Sequence, residues 1–431
     1  PGDQPVSPGG GLPAPGTKGG PASPVCSSGF SPNPQLGFVL RASDHVAIGA
    51  AVVAPHAVGS NDWPLTVSFK NSFGATSAEP APNRYLLVSS SAVIVEPTVS
   101  VAWSPRDDLA FGAGFVWGVS TADFVNFAEA SSPKSAMPSD DYVGHIDTRA
   151  ELKLTDAFIP GFVLGALWSP GDLVDVGASY KYLSGVDAHG DLNLQSPYFL
   201  TSGAPNPDCA KKGPTCSVID AAGSGHVSFD IPMEAKIGVR VHVPRKRAAK
   251  PEARRRKVRD PLAEDVFDVE VDASWAHNSV DKNFTVRFPT GKDAILFPPG
   301  TVPENGDIVR NWKDTVGIYV GGDYVVLPSR LSLRAGGWLV TAGQDAKDLQ
   351  LDFDLAQKEG LALGGTVRLG PFDVSAAYQH TFIATLDNKG EGEVHALSGD
   401  QSAGSRSRQA VDGGSLAEAM NEFGVSATWR V

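Results

Sequence analysis

Apolar and polar residues alternate one by one along much of this chain. Phe111, Ala113, Phe115 and Trp117 fall on one face of an extended segment, and Gly112, Gly114, Val116 and Gly118 fall on the other. Val174, Val176, Ala178, Tyr180 and Tyr182 alternate in the same way with Asp175, Gly177, Ser179 and Lys181. Ile237, Val239, Val241 and Val243 do so against Lys236, Gly238, Arg240 and His242, and Val269, Val271, Ala273 and Trp275 against Asp268, Glu270, Asp272 and Ser274. A period of two marks strands whose faces meet different environments. Here one face is aliphatic and aromatic, and the other is small or charged. The pattern recurs around tight polar turns, as in AWSPRDDLAFGAGF (Ala102–Phe115) and LWSPGDLVDVGASY (Leu167–Tyr180). Looser echoes are LRASDHVAIGAAV, VLPSRLSLRAGGW and RLGPFDVSAAYQH. Each reads as a hairpin.

Thirteen strands are expected, near 35–42, 45–54, 84–104, 108–120, 147–169, 173–189, 226–243, 263–281, 310–327, 330–341, 358–369, 372–387 and 418–431. Many exceed the usual strand of about 5–6 residues and suit the roughly 9–11 tilted residues that cross a bilayer. Short turns at Ala42–Asp44, Pro105–Asp107, Pro170–Asp172, Pro328–Ser329 and Gly370–Pro371 alternate with long loops at 55–83, 121–146, 190–225, 282–309, 342–357 and 388–417. The expected fold is therefore all-β: a transmembrane antiparallel β-barrel, its apolar face to lipid and its polar face to a lumen, in the bacterial outer membrane. Short turns would be periplasmic and long loops extracellular. The stretch 244–262 breaks the rule, being long, basic and in the periplasmic series. Nine Lys or Arg residues lie in Pro244–Arg259, which reads as a solvated loop or as a contact for an acidic periplasmic partner.

Composition narrows the classes. The 431 residues carry a net charge of −12, which argues against nucleic acid as a partner. Mean hydropathy is −0.10, and no apolar run approaches the ~18 residues of a membrane helix. Residues 1–34 are rich in Pro, Gly and Ser and are expected to be a disordered or extracellular loop segment ahead of the barrel at 35–431. The chain opens PGDQPVSPGGGLPAPG rather than with a basic and then apolar leader, so it is expected to be a processed or truncated product.

Four stretches, NPQLGFVLRASDHVAIGAAVVAP, PTVSVAWSPRDDLAFGAGFVWG, GFVLGALWSPGDLVDVGASYKYLSG and NWKDTVGIYVGGDYVVLPSRLSLRAGGWL, resemble in order and spacing the FadL/TodX-type outer-membrane transporters for long-chain fatty acids and other hydrophobic compounds. The resemblance runs from about residue 33 to the end. It implies a barrel of about fourteen strands plugged by an N-terminal hatch. This chain shows thirteen strands and no hatch motif ahead of PNPQLGF, which places the hatch and first strand upstream. The chain ends ATWRV, with Trp429 two residues short of the aromatic terminus usual in such barrels. The resemblance further implies capture of a hydrophobic small molecule at extracellular loops, passage into the lumen, and sideways release into the bilayer at a kinked strand. That kink maps to VVAPHAVG, with Pro55 and Gly59 as the lateral opening; the plain alternative is that Pro55 ends a strand.

For capture, STADFVNFAEA reads as a short helix with a Ser120/Asp123 capping box, placing Phe124 and Phe127 on one face. SPYFLTSG adds Tyr198, Phe199 and Leu200. Two apolar clusters on water-facing loops suggest a groove; their alternative is to brace the loops, and the resemblance favours the groove. Lumen-facing Arg334, with Arg240 and Lys236, could hold a carboxylate, or pair with acids such as Glu270 and Asp272. Cys209 and Cys216 are expected to form a disulfide, leaving Cys26 single. The nine His residues show no metal-ligand spacing, and neither a nucleophile elbow nor a phosphate loop occurs. No cofactor, metal or enzyme activity is expected. Outer-membrane lipid and lipopolysaccharide would surround the wall. The competing readings are a general diffusion porin, a membrane enzyme, for which no Ser/His/acid set assembles, and a structural or interaction protein.

Overall fold

The computed structural model describes residues 25–27, 29, 31–55, 59–70, 76–129, 147–171, 173–200, 203–245, 260–287, 305–394, 397–398 and 413–430. Thirteen strands form its wall. They are β1 (Leu36–Arg41), β2 (Val46–Val53), β3 (Ser89–Arg106), β4 (Leu109–Glu129), β5 (Asp147–Trp168), β6 (Val174–Leu183), β7 (Glu234–Pro244), β8 (Asp265–Ala276), β9 (Thr315–Leu327), β10 (Leu331–Val340), β11 (Lys358–Leu369), β12 (Phe372–Ile383) and β13 (Ala419–Trp429). Each pairs antiparallel with its chain neighbours. Consecutive strands meet at one end through the five expected short turns. Ser329 and Gly370 close two of them with φ of 59° and 61°; at Gly370 a side chain would be strained.

The register keeps two ladders apart. Ile48, Val101, Ala113, Leu164 and Tyr180 lie opposite one another across β2 to β6. So do Ser100, Gly114 and Val163 on the other face at the neighbouring level. The aliphatic ladder points outward and is bare: Val101 is 48% exposed, Ile237 56% and Leu363 65%. Soluble monomers rarely expose apolar patches beyond a few hundred Å². Each such side chain contributes about 1.5–3 kcal/mol when moved out of water, so a belt of this extent fits hydrocarbon rather than water. Aromatic residues rim the belt. Trp103, Phe111, Phe372 and Trp429 sit near the turn end, and Trp117 packs edge-on against Phe158 at the other side. From Phe111 to Trp117 is about 20 Å of strand, close to the roughly 25 Å apolar band of such barrels.

The inner face curves around a lumen. Lys181 of β6 reaches Glu96 of β3 at 2.7 Å although two strands separate them in the sheet. A flat sheet would hold these positions roughly 19 Å apart, three strand spacings across and four residues along. The thirteen strands thus form the wall of an antiparallel all-β barrel. Among the described residues β1 and β13 each pair on one side, and every residue of both is exposed.

Two expected strands are each divided. The stretch 173–189 ends as wall at Leu183 and resumes as Val186–Ser196; 226–243 comprises Ser217–Phe229 and then β7. Val186–Ser196 and Ser217–Phe229 form a hairpin that pairs with the upper half of β5, at the loop end of the barrel. The expected 190–225 loop is thus mostly this hairpin. The two-residue alternation continues through Ser184–Gly185, so periodicity does not reveal where the chain leaves the wall. The hairpin's tip is tied by the Cys209–Cys216 disulfide, with Cα atoms 5.0 Å apart. Cys26 is free. Most of the expected N-terminal segment, the 130–146 part of the expected 121–146 loop, and the basic run at 246–259 lie outside the described residues.

Candidate functional site

The lumen differs between its two ends. Towards the turns, a cavity of about 850 Å³ is lined by Asp175, Lys236, Arg240, Glu270, Asp272 and Tyr319 among others. Its cations are engaged: Arg240 with Asp268 at 2.7 Å and Lys236 with Glu234 at 3.2 Å. Arg334 pairs with Asp323 at 3.0 Å and donates to Thr366 at 2.7 Å. A substrate carboxylate at Arg334 would therefore have to compete with Asp323.

Towards the loops the described part of the interior carries an apolar cluster. Val116, Leu152, Leu154, Leu183, Leu192 and Leu194 are each at most 8% exposed and form one cluster. The residues come from the wall and from the added hairpin. Leu192 lies opposite Leu152, and Leu194 opposite Ala150. A bulge between Gly118 and Ser120, where β5 carries one extra residue, turns the even-numbered residues of upper β5 inward.

The expected helix over STADFVNFAEA is not formed. Residues 121–129 continue β4, where positions three apart point to opposite faces. Phe124 therefore lies opposite Leu152 on the inward side, while Phe127 is on the other face with Val125. Spacing of three suggested one helical face; the flanking alternation carried the stronger signal. Phe127 meets Tyr198 at 5.2 Å and Phe199 at 5.3 Å between ring centroids. It is fully enclosed, with Tyr85, Val88 and Val125 completing the cluster. Tyr198 and Phe199 are half-buried and Leu200 is 41% exposed. The structure thus brings Phe127, Tyr198 and Phe199 together and places Phe124 elsewhere.

Beneath this cluster, Arg84 Nε and the Tyr85 hydroxyl donate to opposite oxygens of Asp147 at 2.9 and 2.5 Å. A second brace holds the loops above β8 and β9. The Arg310 guanidinium is fully buried, donates to both oxygens of Asp352 at 2.7 and 2.5 Å, and lies 4.1 Å from the Phe284 ring centre. Nearby, burial pushes the Asp281 carboxyl up to about 7.

The wall is irregular where a lateral opening was expected. Pro55 stands two residues past the end of the β2 ladder, and Gly59 begins a short strand, Gly59–Asp62, on the same edge of β3. Val53 faces Glu96, yet Gly59 faces Ala92. Five residues thus separate Val53 from Gly59 along the chain, against three between Ala92 and Glu96. Pro97 of β3 lacks an amide hydrogen, and the β3–β4 pairs on either side of it are Val95 with Val119 and Thr98 with Val116. The buried Glu96–Lys181 pair lies at this level.

Among the described residues, two groups gather possible metal-ligand atoms: Asp187, His189 and His226 on the added hairpin, and His242, Asp265 and Asp268 inside the turn end. Sequence spacing missed both because each is assembled across strands. His242 has Asp175 at 2.6 Å and Asp265 at 3.3 Å on its two ring nitrogens.

No family model matches the chain, and neither does any curated protein. Solved structures do. A FadL homologue of Pseudomonas aeruginosa superposes with a TM-score of 0.60 at 17% identity, over 98% of this chain and 82% of that one. The P. putida toluene transporter TodX gives 0.54 at 13% identity, over 83% of this chain and 77% of that one. A TodX monoaromatic hydrocarbon channel lacking S2 gives 0.55 at 14% identity, over 92% and 82%. The chain therefore has the fold of the FadL- and TodX-type proteins, an all-β barrel whose wall is a meander of antiparallel strands.

Proposed function

We propose that this barrel moves hydrophobic molecules, long-chain fatty acids among them, across the outer membrane by a passive route. The observation that carries the reading is the apolar packing of the lumen's loop end. A general diffusion porin needs a water-filled passage there. Val116, Leu152, Leu154, Leu192 and Leu194 instead offer hydrocarbon-like surroundings to a molecule that enters by displacing or shifting them. The fold shared with a FadL homologue and a toluene transporter supports the same reading.

Capture falls to the exposed side of the Tyr198, Phe199 and Leu200 cluster, with Phe127 as its floor. Phe124 lines the inward path, on the same face as Leu152. Exit is sideways through the irregular β2–β3 seam, where Pro55, Gly59 and Pro97 weaken the ladder. The test is uptake of a labelled long-chain fatty acid, and of toluene, by cells carrying wild type or the double variant Phe199→Ser with Leu200→Ser. Each side chain buried against a ligand contributes about 1.5–3 kcal/mol, so capture should weaken by about a hundredfold. Unchanged uptake by a folded double variant removes the capture surface. Passage of small polar solutes at porin rates removes the transport reading.

A further inference from the structure

The hairpin of Val186–Ser196 and Ser217–Phe229 carries chemistry that hydrophobic transport does not use. His189 and His226 are directly opposite in the antiparallel register. Their rings stack with centroids 4.2 Å apart. Asp187, two residues before His189, is on the same face of its strand and touches both rings. Its Oδ1 hydrogen-bonds His226 Nε2 and lies 3.7 Å from His189 Nε2. The ligand atoms of all three groups lie within 4.8 Å of one another.

The group faces away from the apolar cluster. Val186 and Ala188 point to that cluster, so Asp187 and His189 point to the opposite side. Asp187 and His189 are more than half exposed, and His226 is about a quarter exposed. No lysine or arginine pairs with Asp187 in the hydrogen bonds and ion pairs of the described residues. Two imidazoles fixed across a ladder, with a carboxylate between them and solvent in front, are a preorganised ligand set rather than a packing device.

We propose that Asp187, His189 and His226 bind one divalent transition-metal ion at the loop-end rim. Two imidazole nitrogens and one carboxylate oxygen suit zinc, copper or nickel, and disfavour calcium and magnesium, which take oxygen ligands. Three protein ligands leave a position for water, as in open zinc sites. Zinc bound here cross-links the two strands of the hairpin at its base, as the Cys209–Cys216 disulfide does at its tip. The buried group at His242 is a weaker candidate, because its ring nitrogens and Asp268 are already engaged by Asp175, Asp265 and Arg240.

The test is equilibrium dialysis of the detergent-solubilised, tag-free barrel against zinc chloride, with metal measured in the protein compartment. Wild type should take up one zinc ion per chain. His189→Ala and His226→Ala should each weaken it about tenfold or more, since losing a direct ligand costs at least as much as losing an outer-shell partner. His242→Ala should leave binding as in wild type. Both rim histidines are solvent-exposed to some degree and outside the apolar clusters, so heat-modifiable gel mobility should show folded variants. Zinc binding unchanged in both rim variants, binding lost only in His242→Ala, or no uptake by wild type would each overturn the proposal. Fatty-acid uptake is not part of this readout, so the transport reading stands or falls separately.

Discussion

Replacing Phe127 by alanine separates bracing from capture. The ring is fully buried at the top of β4 and touches Tyr198 and Phe199, which belong to the segment following Ser196. Tyr85 and Val88 enclose it from the segment preceding β3. Two separate pieces of chain thus rest on one side chain of a third. Large-to-small changes of a buried Phe cost about 3–5 kcal/mol. The wall ladder does not depend on this ring, so the loss should appear as local opening of the loop end rather than as failure of the barrel. At the lower bound, local opening becomes about a hundredfold more frequent. Hydrogen exchange read by mass spectrometry should therefore speed up by about that factor in peptides covering 125–128 and 197–200, with β10 to β12 unaffected. Leu200→Ser is the contrasting change. Leu200 is 41% exposed, so exchange should stay as in wild type while uptake falls. Wild-type protection in Phe127→Ala would refute the brace. Normal uptake by Leu200→Ser would take Leu200 out of the capture surface.

Three further outcomes follow from other features. Asp281, whose carboxyl burial raises to about 7, holds its proton in the folded state at pH values where an unfolded chain has released it. Folding around it therefore weakens as pH rises from about 4 to about 7; exchange near residues 278–284 should show that slope, and Asp281→Asn should flatten it. Arg310→Met strands Asp352 and removes the cation from the Phe284 ring, and breaking one partner of a buried pair costs about 3–5 kcal/mol; limited proteolysis should open the 305–314 region, and resistance equal to wild type would contradict the brace. For orientation, cysteine at Gly171, whose added Cβ meets nothing within 4 Å, should resist an impermeant thiol reagent on intact cells while cysteine at Ala204 reacts, and the reverse would invert the barrel.

The wall was legible because a bare apolar outer face and a polar inner face write a two-residue period into every wall strand. Phe111 to Trp117 and Ile237 to Val243 needed no further information. Partner choice was not legible. The period continues through Ser184–Gly185 into Val186–Ser196, so alternation reported a strand but not that the strand had left the wall to join upper β5. Phe124 and Phe127 were misread for the opposite reason: two aromatics three apart outweighed the longer alternation in which they sit, and Val125 was overlooked as the face-mate of Phe127. The bulge on β5 changes which residues face inward, and no local residue pattern announces it. Asp187, His189 and His226 were missed because the third member lies 37 residues beyond the second and only the ladder register brings them together.

Among the described residues the outer edges of β1 and β13 have no strand partner, which bears on how this polypeptide behaves outside hydrocarbon. Each presents a row of amide and carbonyl groups flanked by bare side chains, among them Phe38 at 63% exposed and Phe423 at 81%. An open, apolar strand edge is a template for any other strand, including one from a second copy. In hydrocarbon the pressure is stronger, because each unsatisfied backbone group there costs several kcal/mol. Refolding from urea into detergent is therefore a competition between completing the ring within one molecule and edge-to-edge growth between molecules. Ring closure is independent of protein concentration and growth is not, so dilution should govern the yield of discrete barrels.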